Sequence, residues 1–166
     1  MTSGIDAVDR KILEMLQDNA RTAFRKIAEE AGVSEATIFI RVRKLLEKGV
    51  IRRFTALVSP ELLGMGLTAF VLANADPKRL QTVLDALSSM DDVYEVHDVT
   101  GTYYIIAKIR TGNREKLAKI IDLIGLIEGV SSTETAIVLR SIKEETRIRT
   151  QESDPGTSST FAVSSL

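Results

Sequence analysis

Six basic residues crowd one stretch of this 166-residue chain. Within residues 34–53, Arg41, Arg43, Lys44, Lys48, Arg52 and Arg53 stand against Glu35 and Glu47 alone, a local net of +4. Cations at that density can neutralise phosphates. The whole chain conceals them, because its formal net charge is only −1. Residues 1–60 hold 11 Lys and Arg against 8 Asp and Glu, a net of +3, whereas residues 61–166 hold 11 against 15, a net of −4. A compact basic module on a larger acidic domain is the charge pattern of a small duplex-reading unit. On charge alone, a solvated helix face is the plainer reading.

Composition removes several other chemistries. The chain has no cysteine, which excludes a disulfide framework, a thiolate metal site and thiol catalysis. Its single histidine, His97, leaves a two-histidine metal site or a histidine proton relay without members. His97 falls in the middle of a strand-like run, where a structural role is the simpler reading. The opening M-T-S-G-I-D lacks a basic and apolar leader, and no apolar run approaches the ~18–20 residues that would span a bilayer. A cytoplasmic protein with no membrane partner, metal or cofactor is the expectation.

Helices must position the basic residues. Ile5 to Asn19 reads as the first, with Asp6 as cap, Asp9 in the first turn, and Ile12, Leu13 and Leu16 at helical spacing. A short second helix, Arg25 to Ala31, is followed by Gly32, where a left-handed C-terminal residue is wanted. Ser34 then caps a third helix that runs to about Lys48 and stops at Gly49. The spacing from Ala28 to Gly32, with a helix opening at once, is the sequence form of a helix-turn-helix, although ordinary helix corners also use glycine there. At about 100° per residue, Ile38, Val42 and Leu45 share the inner face of the third helix, with Phe39 and Leu46 beside them. Ala36, Ile40, Arg43 and Glu47 lie opposite, and Thr37, Arg41 and Lys44 form a flank. A bare isoleucine amid arginines could touch a thymine methyl in a major groove, or could be an ordinary exposed aliphatic. Arg52 and Arg53 lead into Phe54 to Val58, which reads as a short strand, a wing or hinge.

Residues 67–142 alternate as β-α-β-β-α-β. Leu67 to Asn74 and Tyr103 to Ile109 read as strands, Val93 to Val99 pairs with the latter around Gly101-Thr102, and Val130 to Ile142 closes the set. Asp76 and Pro77 open one helix, with Leu80, Val83, Leu84, Leu87 and Met90 as its stripe. Gly112 and Asn113 introduce another, striped by Leu117, Ile120, Ile121 and Ile124. Met90-Asp91-Asp92-Val93 and Ile127-Glu128-Gly129-Val130 sit at matching points of the two halves. Such halves build a ferredoxin-like sandwich, an antiparallel four-stranded sheet with two helices on one face. Because 67–73 and 103–109 are apolar on both sides of the pleat, the second sheet face is expected to bury itself in an obligate dimer. Gln151 to Leu166, rich in Ser and Thr, reads as a mobile tail.

Several strings join the halves. They are I-D-A-V-D-R-K-I-L at 5–13, N-A-R at 19–21, I-A-E-E-A-G-V-S at 27–34, R-V-R-K-L-L-E-K-G-V-I at 41–51, V-T-G-T-Y-Y at 99–104 and T-E-T-A-I-V-L at 133–139. In that order the chain resembles the Lrp/AsnC, or feast/famine, family of prokaryotic transcription regulators, over residues 5 to about 145. Composition leaves 146–166 as a disordered tail, and the resemblance implies an α+β protein with a winged helix-turn-helix (1–54), a linker (55–66) and a ferredoxin-like domain that dimerises and takes up an effector (67–145). It further implies binding to double-stranded operator DNA, and assembly of homodimers into tetramers or octamers.

Carried onto this sequence, Ser34 and Thr37 fall where the family's recognition helix starts, and Arg41, Arg43 and Lys44 where it meets bases or backbone. With the outward Ala36 and Ile40, and with Arg52 and Arg53, they form the expected DNA-binding set. Phe39 and Ile40 depart from the family's usual polar residues, which implies a shift towards A·T pairs. The family's effector, commonly an amino acid, implies a site at Gly101, Tyr103, Tyr104, Thr133 and Thr135. Tyr104 stands where the family carries Asp, so an α-ammonium loses its carboxylate. A different ligand, a weaker one or none follows equally. Two further readings stand beside this one: an architectural DNA-binding protein without effector, and an enzyme related to the siroheme decarboxylases, whose His and Arg cluster is missing here.

Overall fold

The computed structural model describes residues 4–150, and these group into two compact units. The first comprises the chain up to Ala56 together with the segment from Glu145, and the second spans Leu57–Glu144.

Three helices make the first unit: α1 (Ala7–Asp18), α2 (Phe24–Ala31) and α3 (Glu35–Glu47). Local chemistry sets each boundary. Asp6 Oδ1 accepts the Asp9 amide at 2.9 Å, and Asp9 Oδ2 accepts the Asp6 amide at 3.3 Å, a reciprocal capping box at the start of α1. Gly32 ends α2 in the left-handed region (φ 67°, ψ 31°). Ser34 Oγ accepts the Thr37 amide at 3.1 Å and so caps α3 two residues later. Ile12, Ile27 and Ile38, one from each helix, are fully buried together. Burial on that scale contributes about 1.5–3 kcal/mol per side chain, which holds short helices that propensity alone would not.

The second unit has a four-stranded antiparallel sheet in the order β2-β3-β1-β4, where β1 is Leu67–Ala75, β2 Val93–Asp98, β3 Ile105–Thr111 and β4 Val130–Ile137. Helices α4 (Leu80–Ser88) and α5 (Arg114–Gly125) cover one face. Ala69, Val71, Ala73, Ile105 and Ile109 point into that covered face against Val83, Leu87, Leu117, Ile120 and Ile124. The small alanines of β1 let the helices approach, and the branched side chains fill the remaining volume. The alternate positions Phe70, Leu72 and Ile106 are half-buried on the opposite face. This is the expected α+β, ferredoxin-like topology.

Local expectations fail at identifiable points. Phe54 to Val58 forms no strand, because a strand needs a ladder partner and the helical unit offers none among its described residues. Asp76 does not cap α4: its Oδ1 accepts the Lys78 amide at 2.9 Å, so a turn intervenes and the helix starts at Leu80. β4 stops at Ile137 rather than Ile142. The Val138 amide donates to Thr68 O at 2.9 Å, and β1 begins only one residue earlier, so the ladder runs out. Of the tail expected at 146–166, the first residues lie along α1: Gln17 exchanges two hydrogen bonds with the Ile148 backbone (3.0 and 2.7 Å), and Arg147 meets Asp18 at 2.7 Å. Residues 151–166 lie outside the described residues.

Candidate functional site

The turn between α2 and α3 fixes what α3 can present. Both the Gly32 and Val33 amides donate to Ala28 O, the latter at 3.1 Å, which closes α2 and re-aims the chain within two residues. Ile38, Val42 and Leu45 then face inward. Ala36, Ile40, Arg43 and Lys44 form an exposed band, with Ile40 52% exposed. Phe39 is also largely exposed, its ring edge-on to Phe24 with centroids 6.4 Å apart. A helix that offers small, apolar and cationic side chains in one band can enter a major groove, where methyls and acceptors lie side by side.

The basic residues are not equivalent. Arg43 Nε sits 2.9 Å from Glu47 Oε1 on the same helix, an exposed pair of small energetic weight. Arg41 is turned inward to Asp6 (2.6 Å) and Asp9 (3.0 Å), and its guanidinium is held protonated still more firmly than usual, first by Asp6 and then by Asp9. Asp6 is kept below the ordinary carboxylate range, chiefly by the Asp9 amide and next by Arg41. Lys44, Lys48, Arg52 and Arg53 make no ion pair among the described residues. The basic stretch therefore holds fewer uncommitted cations than its tally suggests. Ser34 and Thr37 are hydroxyl neighbours at 2.8 Å at the head of α3.

In the sheet unit the five residues expected around an effector divide between two faces. Gly101 turns the chain at φ 122°. The Tyr103 hydroxyl donates to Glu134 of β4, which raises the phenol pKa above its usual value. The Tyr104 amide donates to Ala73 O and Asn74 Oδ1, each at 3.2 Å, while the residue is 43% exposed. Asn74 in turn reaches Ser132 Oγ at 3.4 Å. Thr133 and Thr135, opposite Ala73 and Val71, lie on the helix-covered side of β4, whereas Glu134, opposite Leu72, lies on the other. Tyr103 thus joins Glu134, Asn74 and Ser132, which sequence reading passed over, rather than the threonines. The period-2 alternation of β4 separates Ser132 and Glu134 from the threonines, but which of them Tyr103 and Asn74 meet is set by the register with β1.

These geometries agree with the chain's similarities to known proteins. Residues 5–52 match a winged helix-turn-helix DNA-binding domain, and residues 68–148 match the Lrp/AsnC ligand binding domain. The chain belongs to the Lrp/AsnC family. The HTH-type transcriptional regulator FL11 of Pyrococcus horikoshii is 41% identical over 144 residues, covering 87% of this chain and 95% of that protein. The structure of E. coli AsnC is 37% identical with a TM-score of 0.84 and covers 89% of this chain and all of that one. A transcriptional regulator of Neisseria meningitidis, solved as an L-Met complex, shares the fold at 24% identity and a TM-score of 0.80, covering 86% of this chain and 95% of that one. This Lrp/AsnC-type chain is accordingly a DNA-binding transcriptional regulator that carries a ligand-binding domain. Among the described residues, no helix is long and apolar enough to cross a membrane.

Proposed function

We propose that a homodimer of this chain sets two copies of α3 into successive major grooves of an operator, and that a small amino-acid-like molecule held by the sheet unit shifts the equilibrium between assemblies of different operator affinity. The exposed band Ala36, Ile40, Arg43 and Lys44, projecting directly after a left-handed glycine turn, carries the DNA half of this reading. Ser34 and Thr37 at the head of the helix, with Arg52 and Arg53 beyond it, supply backbone contacts. The half-buried Phe70, Leu72 and Ile106 on the open sheet face supply a surface for the second copy, and pairing of dimers gives tetramers or octamers. A DNA partner supports a cytoplasmic location.

The effector reading rests on the family's ligand-binding domain and on a relative solved with L-Met. The polar group Tyr103, Glu134, Asn74 and Ser132, beside Gly101 and Tyr104, offers donors and acceptors to a small ligand. Thr133 and Thr135 present hydroxyls on the reverse side of the same strand. The protein acts by binding and catalyses no reaction. His97, whose ring nitrogen lies 3.4 Å from Glu95, sits on the exposed surface of β2.

Footprinting tests the reading against an architectural role. Discrete protected segments recurring at about one helical turn support a dimeric regulator, and unbroken protection of every sequence tried rejects it.

A further inference from the structure

Each carboxylate of the α1 capping box divides its two oxygens between two tasks. Asp6 uses Oδ1 to accept the Asp9 amide and Oδ2 to hold Arg41 Nη1 at 2.6 Å. Asp9 uses Oδ2 to accept the Asp6 amide and Oδ1 to hold the same Nη1 at 3.0 Å. The guanidinium reaches them from the flank of α3, between the inward Ile38, Val42 and Leu45 and the outward Ile40, Arg43 and Lys44. Asp9 is buried, and the Arg41 side chain is only 30% exposed.

We propose that Arg41 is a positioning residue for DNA reading, not a DNA contact: clamped by Asp6 and Asp9, it fixes the rotation of α3 about its own axis and so aims the Ile40, Arg43 and Lys44 band. Hydrophobic contacts at Ile38, Val42 and Leu45 bring α3 against its neighbours but resist small rotations weakly, since apolar packing is non-directional. A guanidinium shared by two carboxylates at the end of a neighbouring helix is directional. Two negative charges within 3.0 Å also cancel its pull on a phosphate. The inference rests on α3 being the helix that reads DNA, and it assigns a different task to a residue that the sequence pattern places among the contacts.

The charge of the partners makes it testable. Removing a carboxylate beside bound DNA should tighten binding if it serves only as a nearby negative charge or as a restraint that Arg41 must escape. It should weaken binding if it aims α3. Asp6→Asn isolates the point, because asparagine caps a helix as well as aspartate does, while the charge and the acceptor facing Arg41 are lost together. With the full-length protein and a duplex selected by it from a random pool, we expect Asp6→Asn and Arg41→Ala each to weaken binding about tenfold, with the slope of log Kd against log salt unchanged. A true phosphate contact would lower that slope by about one. The double variant should bind no more weakly than either single variant.

Tighter binding by Asp6→Asn, or a slope reduced by about one in Arg41→Ala, overturns the proposal. Should Arg41→Ala unfold, Asp6→Asn decides alone. If the wild type selects no duplex, the DNA reading fails instead. The clamp is then judged without DNA, by whether the melting-temperature losses of the two variants overlap, as coupled residues require, or add, as independent ones would.

Discussion

Glu144 is shared between two cations of one strand: Arg110 Nη2 lies 3.1 and 2.9 Å from its two oxygens, and Lys108 Nζ lies 2.9 Å from the first. Both cations project from the open sheet face with side chains only 12% and 16% exposed, so their charge is poorly hydrated and needs this partner. Glu144 is kept below the ordinary carboxylate range, first by Lys108 and then by Arg110. A depressed carboxylate stabilises the fold above its unfolded pKa, and that contribution is lost as pH falls through the folded value. Glu144→Gln should therefore cost on the order of 0.5–1 kcal/mol near neutrality, a modest figure because the carboxylate is 46% exposed. Urea melts from pH 7 downward should show the gap to wild type closing below about pH 4.5. A gap that does not narrow as the pH falls would contradict the ion-pair account.

The exposed Ile40 offers a methyl contact rather than a hydrogen bond. Ile40→Ala should weaken binding by about 1 kcal/mol on a duplex that has thymine under α3, close to the value of a buried methylene or two. The same loss should vanish when that thymine is replaced by deoxyuridine, which lacks only the methyl. Equal losses on both duplexes would show that Ile40 reads no base.

Two glycines separate backbone strain from steric exclusion. Gly32 has φ 67° and open space where a Cβ would stand, so Gly32→Ala should cost only the left-handed penalty of about 1 kcal/mol. A Cβ on Gly112 would come within 2.7 Å of the Gly64 carbonyl oxygen, a backbone atom that cannot rotate away. Gly112→Ala should cost about 1–3 kcal/mol and loosen the 60–65 turn as well as β3. Amide exchange would locate each effect, in α2 and α3 for the first and in the sheet unit for the second. A neutral Gly112→Ala would mean that the turn is soft.

Sequence legibility followed the range of the interaction. Asp6, Ala28, Gly32 and Ser34 act on backbone within five residues of themselves, and the helix boundaries they set were readable one by one. The antiparallel four-stranded sheet with both helices on one face followed from the two matching halves. Four features depended on contacts far along the chain and were not readable. Phe54 to Val58 has strand composition and no ladder to join. β4 is cut short by where β1 begins, about seventy residues earlier. Arg41 falls in a basic run, yet its fate is decided by two carboxylates 35 and 32 residues away. The pairing of Tyr103 with Glu134 belongs to the same class, since it spans 31 residues and depends on the register of β1 with β4.

The open sheet face can be tested through Phe70, which sits half-buried with Lys108 Nζ 6.0 Å from its ring centroid. Phe70→Lys would bring a second ammonium beside Lys108 and Arg110 and, across a two-fold interface, against the same three cations of the partner. Sedimentation at micromolar concentration should show wild type as a dimer or larger, and the variant shifted to monomer with its secondary structure intact. Unchanged sedimentation would place the interface elsewhere.

Tyr104 tests whether the sheet unit selects its ligand by charge. The backbone of this residue is held by Ala73 and Asn74 whatever its side chain, and the ring is partly exposed, so Tyr104→Asp should leave the fold undisturbed. The substitution supplies the carboxylate that the family resemblance implies at this position. An α-ammonium would gain a charge-assisted hydrogen bond worth about 1.5–3 kcal/mol, ten- to a hundredfold in affinity. Calorimetric titration with the twenty amino acids should therefore give at least one that binds Tyr104→Asp at least about tenfold more tightly than wild type. If the two proteins give the same profile, the phenol is not what sets ligand choice. The acceptors at Glu134 and Asn74 then become the groups to vary, because they remain the nearest polar partners of the Gly101 to Tyr104 turn.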